Sequence, residues 1–416
     1  MTKLRYILVG LVAAGLLAAL WLLAQPRNPE EKPGHVNASL PAPKEPKYKP
    51  FTAPATGSIK LALGATPWPM YRGNPAMTGV APGRIGNSLR LAWVMRTGES
   101  LRNGSGHSSA VIGHGLAYIG SEDGNLYALE LATGRKAWAF PSGDIIQAPP
   151  MLLDDTVIFG GNRKVVCLGA LDGKVRWTSD IGDDVAASAN WFAGPSGDKR
   201  IVIGCWDYNV YCLDFKNGHS LWKQKTGSYV NAAATVAAGR IVQAACDGNV
   251  YWLDPQSGDV QRKFETENFI ASAAAMESGK LYFGSYSQKF YCLDAATGHA
   301  DWTFAVDGEI DAGAAVAPDR VVFGARDHCM YCLDPLGRKL WEFRGRDSFM
   351  AAPVICGDRV LAPCDDGWLY LLDLATGHEV WSFELGESIE SSPAVGGGFV
   401  VLGCDDGNVY GFAVEK

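Results

Sequence analysis

The chain has 416 residues, 47% of them hydrophobic and 19% charged, which is enough apolar sequence for a large folded core and excludes wholesale disorder. Its 44 acidic residues outnumber 37 basic ones and leave a net charge of −7; binding to nucleic-acid phosphate needs the opposite balance, which argues against that class of partner. Glycine (49) and tryptophan (13) are abundant, as expected for many short strands joined by tight turns rather than for helices.

In chain order, the first predicted element is a membrane segment. Lys3 and Arg5 precede an uncharged run over residues 6–24. As a helix this run would rise roughly 28 Å, close to the ~30 Å hydrocarbon core. It is longer than the apolar part of a usual signal peptide and reads as an uncleaved anchor, although small residues around Ala24 would also suit cleavage there. The basic start predicts a cytoplasmic N-terminus, with the rest on the periplasmic or extracellular side of a bacterial cytoplasmic membrane. No cysteine occurs before Cys167, which speaks against lipidation. Residues 1–25 are therefore assigned as anchor or signal sequence and 26–56 as a Pro/Lys-rich linker. The linker holds Lys32, Lys44, Lys47 and Lys49 among its prolines and could extend on the order of 90 Å.

From about residue 90 the sequence repeats. One column reads Tyr127, Val166, Tyr211, Tyr251, Tyr291, Tyr331, Tyr370, Tyr410, with spacings of 39 to 45. A second reads Trp93, Trp138, Trp177, Trp222, Arg262, Trp302, Trp341, Trp381. Eight units of about 40 residues, each with four short strands, predict an eight-bladed all-β propeller of antiparallel blades over residues 57–416. In the first unit, residues 108–112, 116–120, 126–130 and 136–140 are the expected strands A to D, and Asp123-Gly124 is the expected type I′ hairpin. The Trp93 strand precedes the first complete unit, and no D strand follows Tyr410. The two should therefore pair and close the ring.

The stretches Tyr251-Trp-Leu-Asp254 and Tyr291-Cys-Leu-Asp294-Ala-Ala-Thr-Gly298, with Trp302, resemble the repeat of pyrroloquinoline-quinone (PQQ) type propellers. Trp68-Pro-Met-Tyr-Arg-Gly-Asn-Pro-Ala-Met-Thr-Gly79 resembles the lead-in of bacterial proteins of that kind. The chain also resembles outer-membrane-protein assembly factors of the BamB type. That resemblance implies a non-catalytic scaffold that binds protein in the cell envelope, with no cofactor.

The repeated residues have structural explanations. Asp and Gly suit the C–D turn, and each Trp can wedge between blades with its N–H on a carbonyl. Val166, Gly169 and Arg262 break the pattern, so weaker or different packing is expected around them. Cys167, Cys212, Cys292 and Cys332 share one repeat position, and Cys205, Cys364 and Cys404 another, as buried strand residues would. Cys329 and Cys332 have metal-pair spacing but sit within one strand, where side chains alternate faces. Asp183-Asp184 reads as a solvated loop. No catalytic constellation and no metal set is recognisable, and the chain is read as a non-enzyme.

Two other readings stand beside the scaffold: a solute-binding or sensory propeller, and a quinoprotein dehydrogenase. Dehydrogenases of that kind carry adjacent cysteines over the cofactor and long insertions. This chain has no adjacent cysteines, and its regular spacing leaves no room for insertions. D–A loops and B–C turns should share one rim, and there 21 acidic residues stand against eight basic ones, a balance of −13. The expected binding site is this rim's funnel, with His107, Gln147, Asn231, Glu309, Asp311 and Glu390 near its mouth. It would attract an envelope protein or peptide of basic character. The alternative is that the acidic turns serve solubility alone.

Overall fold

The computed structural model describes residues 66–98 and 108–414. The predicted anchor, the linker, His107, Glu99 and Arg102 lie outside the described residues.

The alternating strands form eight antiparallel sheets, blades 1 to 8, over residues 111–141, 151–180, 190–225, 235–265, 275–305, 315–344, 354–384 and 394–413. Blade 8 takes its outer strand from Arg90–Arg96, which pairs antiparallel with Asn408–Ala413 and sets Trp93 opposite Gly411. The expected ring closure is present. Serines reinforce the seam: the Ser391 hydroxyl donates to the Ser108 carbonyl at 3.1 Å, and the Ser392 N–H donates to Ser109 Oγ at 3.0 Å.

The B–C hairpins differ from the expected type I′ turn. Gly124 N–H donates to the Ser121 carbonyl at 3.1 Å, and only the glycine of the Asp123-Gly124 pair has positive φ (83°). This is a type I turn followed by one left-handed residue, the three-residue hairpin. Tyr208, Gln288 and His328 hold the same left-handed position in blades 3, 5 and 6.

Tryptophan joins the blades. The indole N–H of Trp93 donates to the Leu131 carbonyl of blade 1 at 2.8 Å, and Trp138, Trp177, Trp222, Trp302 and Trp341 make the same bond to the next blade. The C–D turn glycine lies beneath: a Cβ on Gly134 would stand 2.6 Å from the Trp93 ring. The residue opposite Trp on strand C is small in most blades, as in Ala128–Trp138, Cys212–Trp222 and Cys292–Trp302. The shared cysteine position is thus a packing slot, and all ten cysteines are free thiols.

Blade 4 solves the problem differently. Arg262 stands in the Trp column, but its cross-strand partner is Trp252. The Trp252 indole reaches the equivalent carbonyl, Ala295 of blade 5, at 2.9 Å. The tryptophan has moved one strand inward and the interblade bond is kept. Blade 2 adapts similarly around Gly169: Asp172, three residues on, accepts the turn N–H of Lys174 at 3.1 Å.

The lead-in segment has a structural task. The inner strands are short and present unpaired N–H groups to the axis, which need acceptors when buried. Residues 66–81 supply them in turn around the ring. Carbonyls of Trp68, Pro69, Pro75, Ala76, Thr78 and Gly79 accept from Ile112, Leu152, Val236, Met276, Val316 and Ile355. The Pro75 carbonyl also accepts from the Asn190 side chain, and the Thr66 carbonyl from Gly397. All eight blades are touched, and the segment plugs the axis. Within it Arg72 is 2% exposed and donates to the Ala314 carbonyl at 2.8 Å. A Cβ on Gly79 would fall 1.9 Å from its guanidinium, so a side chain there would have to displace Arg72.

Candidate functional site

Above the plug the ring encloses a polar cavity of about 290 Å³ that opens on the D–A and B–C rim. Tyr71 of the plug lies at its floor with Ser108, Ser109, Ser188, Ser272 and Ser392. The wall comes from one D–A position repeated around the ring, which places Gln147, Asn231, Asp311 and Glu390 on the lining. Glu309 does not line it. Two residues before the wall position, it occupies the outer loop site whose carbonyl accepts the N–H of Arg326 at 2.9 Å. Tyr229 and Phe269 hold the same outer site in blades 4 and 5, accepting from Cys246 and Tyr286.

Sequence reasoning counted Glu122, Arg326, Asp365 and Asp405 among the rim charges but did not see that they form one ring with Trp206, Cys246 and Tyr286, at the residue before the B–C turn aspartate (Ser287 in blade 5). The repeat register was a sufficient signal, because that offset is the same in every blade.

Much of the apparent acidity is structural. Asp123 Oδ2 accepts the Tyr127 hydroxyl at 2.5 Å and the Gly98 N–H at 2.7 Å, and Oδ1 accepts the Asn125 N–H. Asp207, Asp247, Asp327, Asp366 and Asp406 accept their own blade's tyrosine in the same way. Asp311, expected as an open funnel acid, is clamped. The Arg326 guanidinium donates to it at 2.5 and 3.2 Å, and the Tyr286 hydroxyl donates to its Oδ1. Its charge is matched within the blade and holds Arg326 firmly protonated.

A second group of carboxylates sits on blades 7, 8 and 1. Asp365 is pushed up to about 7, first by burial and then by Glu390 and Asp347, and its buried Oδ1 has no hydrogen-bond partner. Asp405 is pushed up to about 6 by burial, Glu390 and Glu122. Among the described residues that line the cavity there is no lysine or arginine.

A raised carboxylate binds its proton more tightly folded than unfolded. Asp365 therefore contributes stability that is complete below the ordinary carboxylate value of ~3.9 and is lost as pH rises through about 7. Glu390, Asp347 and Asp311 oppose its ionisation and Arg326 favours it. Asp365→Asn is expected to raise Tm by about 1–3 °C at pH 8 and to lose that advantage progressively as pH falls to about 4. A Tm difference independent of pH would contradict this account.

The blade register and closing strand define the described residues as a repeat propeller with a polar funnel above an axial plug. The family model described as Outer membrane protein assembly factor BamB matches residues 138–308, 247–364 and 291–416, and the chain belongs to this family. BamB of Yersinia pestis is 24% identical over 244 residues, 55% of this chain and 60% of that protein. The quinoprotein ethanol dehydrogenase of Pseudomonas putida is 26% identical over 160 residues, 32% of this chain. The match spans only a quarter of that dehydrogenase and three fifths of the Yersinia protein. Among solved structures, BamB from Moraxella catarrhalis superposes with a TM-score of 0.65 at 18% identity, covering 78% of this chain and 98% of that one. A europium-containing methanol dehydrogenase gives 0.68 at 13% identity, covering 85% and 99%. At these identities the solved structures share the fold alone.

Proposed function

We propose that the chain is a non-catalytic binding scaffold of the cell envelope whose funnel mouth takes a basic peptide or protein segment. The observation that carries this reading is the carboxylate arc of blades 7, 8 and 1, where Asp365 and Asp405 are held above the ordinary range around Glu390. A cation placed there relieves the mutual repulsion, and the arc steers such a ligand from a distance. Membership of the BamB family supports an assembly role.

The lining does not suit the cofactor of quinoprotein relatives. PQQ is a tricarboxylic acid. The described lining offers it Glu122, Asp311 and Glu390 and no lysine or arginine. The size of the cavity, about 290 Å³, favours one further reading, a small cationic solute.

In the same reading residues 6–24 hold the propeller outside the cytoplasmic membrane; a C-terminal alkaline phosphatase fusion inactive in whole cells would contradict that placement. The decisive experiment is capture of envelope proteins by the full chain across a salt series, beside the Asp365→Lys/Glu390→Lys variant. The expected result is a captured basic partner whose binding weakens with salt and falls at least tenfold in the variant. Capture that is indifferent to both would reject the proposal.

A further inference from the structure

We propose that the funnel mouth is a two-part docking surface for an extended peptide that carries lysine or arginine beside an aromatic residue. This rests on the basic-partner reading above and adds the second half of the recognition.

The second half is an aromatic sector on blades 3 to 5, across the ring from blades 7, 8 and 1. Tyr208 is 37%, Tyr229 45% and Phe269 48% exposed, although most large hydrophobic side chains of the propeller are buried. They are not scattered. The Tyr229 ring lies 5.7 Å from Trp206 and 5.0 Å, edge-on, from Tyr208; Phe269 lies 6.1 Å, edge-on, from Tyr286. The repeat register puts Tyr229 and Phe269 at the same outer loop site in neighbouring blades, and Trp206 and Tyr286 at the same B–C site in blades 3 and 5. These are the same two offsets that carry Ser348 and Asp365 in blade 7, and Ser388 and Asp405 in blade 8. One scaffold position thus presents rings on blades 3 and 5 and carboxylates on blades 7 and 8 of the same rim, which surrounds the cavity lined by Gln147, Asn231 and Glu390.

Charge selects the occupant. An anionic ligand is repelled by Glu390 and Asp365. A neutral saccharide could stack on the rings but would leave both carboxylates uncompensated. A basic segment without a ring would leave Tyr229 and Phe269 in water. A peptide with a basic side chain and an aromatic one meets both sectors, through charge pairing on one side and edge-to-face packing on the other.

The test uses the full chain and four probes: a blocked lysine–tryptophan–lysine peptide, its alanine-for-tryptophan and glutamate-for-lysine versions, and a neutral chitotriose. Affinities are measured by titration calorimetry at low and high salt. The tryptophan peptide is expected to bind about tenfold more tightly than the alanine peptide, and the glutamate peptide and the saccharide not measurably. Tyr229→Ala/Phe269→Ala, both at exposed sites, should erase the tryptophan advantage and keep the salt dependence. Asp365→Asn/Glu390→Gln should weaken both lysine peptides alike and flatten the salt dependence. Equal affinity of the tryptophan and alanine peptides with salt dependence intact would overturn this proposal and leave the basic-partner reading standing. Absence of lysine-peptide binding at millimolar concentration, or preference for the saccharide, would overturn both.

Discussion

A chain lacking residues 57–97 is expected to lose its cooperative melting transition and to aggregate on refolding. The deletion removes Arg90–Arg96, which leaves the Asn408–Ala413 edge of blade 8 bare. It also removes the Trp93 wedge against blade 1, a loss of about 3–5 kcal/mol by itself. With the plug gone, the N–H groups of Ile112, Leu152, Val236, Met276, Val316 and Ile355 lose their acceptors. A shorter deletion, residues 57–86, separates the two contributions. It keeps the closing strand and should give a monomer that still melts cooperatively, at a lower temperature. Size-exclusion chromatography and calorimetry check both variants. An unchanged Tm in either would show that the plug does not stabilise the ring.

The second large effect is expected in blade 4. Trp252→Cys should cost about 3–5 kcal/mol, because it empties the wedge between blades 4 and 5 and strands the Ala295 carbonyl. Adding Arg262→Trp should restore most of that loss. The pair would then have the arrangement of Cys212–Trp222 and Cys292–Trp302 in the neighbouring blades. Arg262→Trp alone should destabilise by about 1–3 kcal/mol, since two indoles would compete for one slot. Urea unfolding of the four proteins yields the coupling directly, and additive effects would reject the exchange of roles.

This pair also shows what a repeat makes legible and what it hides. The Tyr and Trp columns gave blade number, phase and closing strand, because period and register survive individual substitutions. The same columns presented Arg262 as a defect. A column compares equivalent positions along the chain, whereas the compensating Trp252 lies across the hairpin. Asp311 was hidden in the same way: its place on the funnel wall follows from the D–A register, but Arg326 and Tyr286, which neutralise and clamp it, come from B–C turns. Glu309 differs for a local reason, since it stands two residues earlier in the loop, at a position that does not reach the cavity lining. Residues 66–81 have no period, so nothing in their order showed that they would visit every blade. The thiols of Cys205, Cys364 and Cys404 fit the expected buried role, each donating to a D–A loop carbonyl and pushed up to about 12 by burial.

The plug and closing strand also order folding in time. Residues 66–96 are synthesised early, yet their partners come last: Val80 and Ala81 pair with Ile355 and Cys356, and Asn87 bonds to Arg359, 272 positions away. Translation at ~5–20 residues per second puts tens of seconds between making the first half of the closure and making the second. During that interval the nascent blades form an open arc with a bare outer edge and an unfilled axis, and they can meet other chains. Such long-range pairing is intrinsically slow to find. The ring cannot close until Asn408–Ala413 is made, and a truncation that removes this strand is expected to leave an open, aggregation-prone arc.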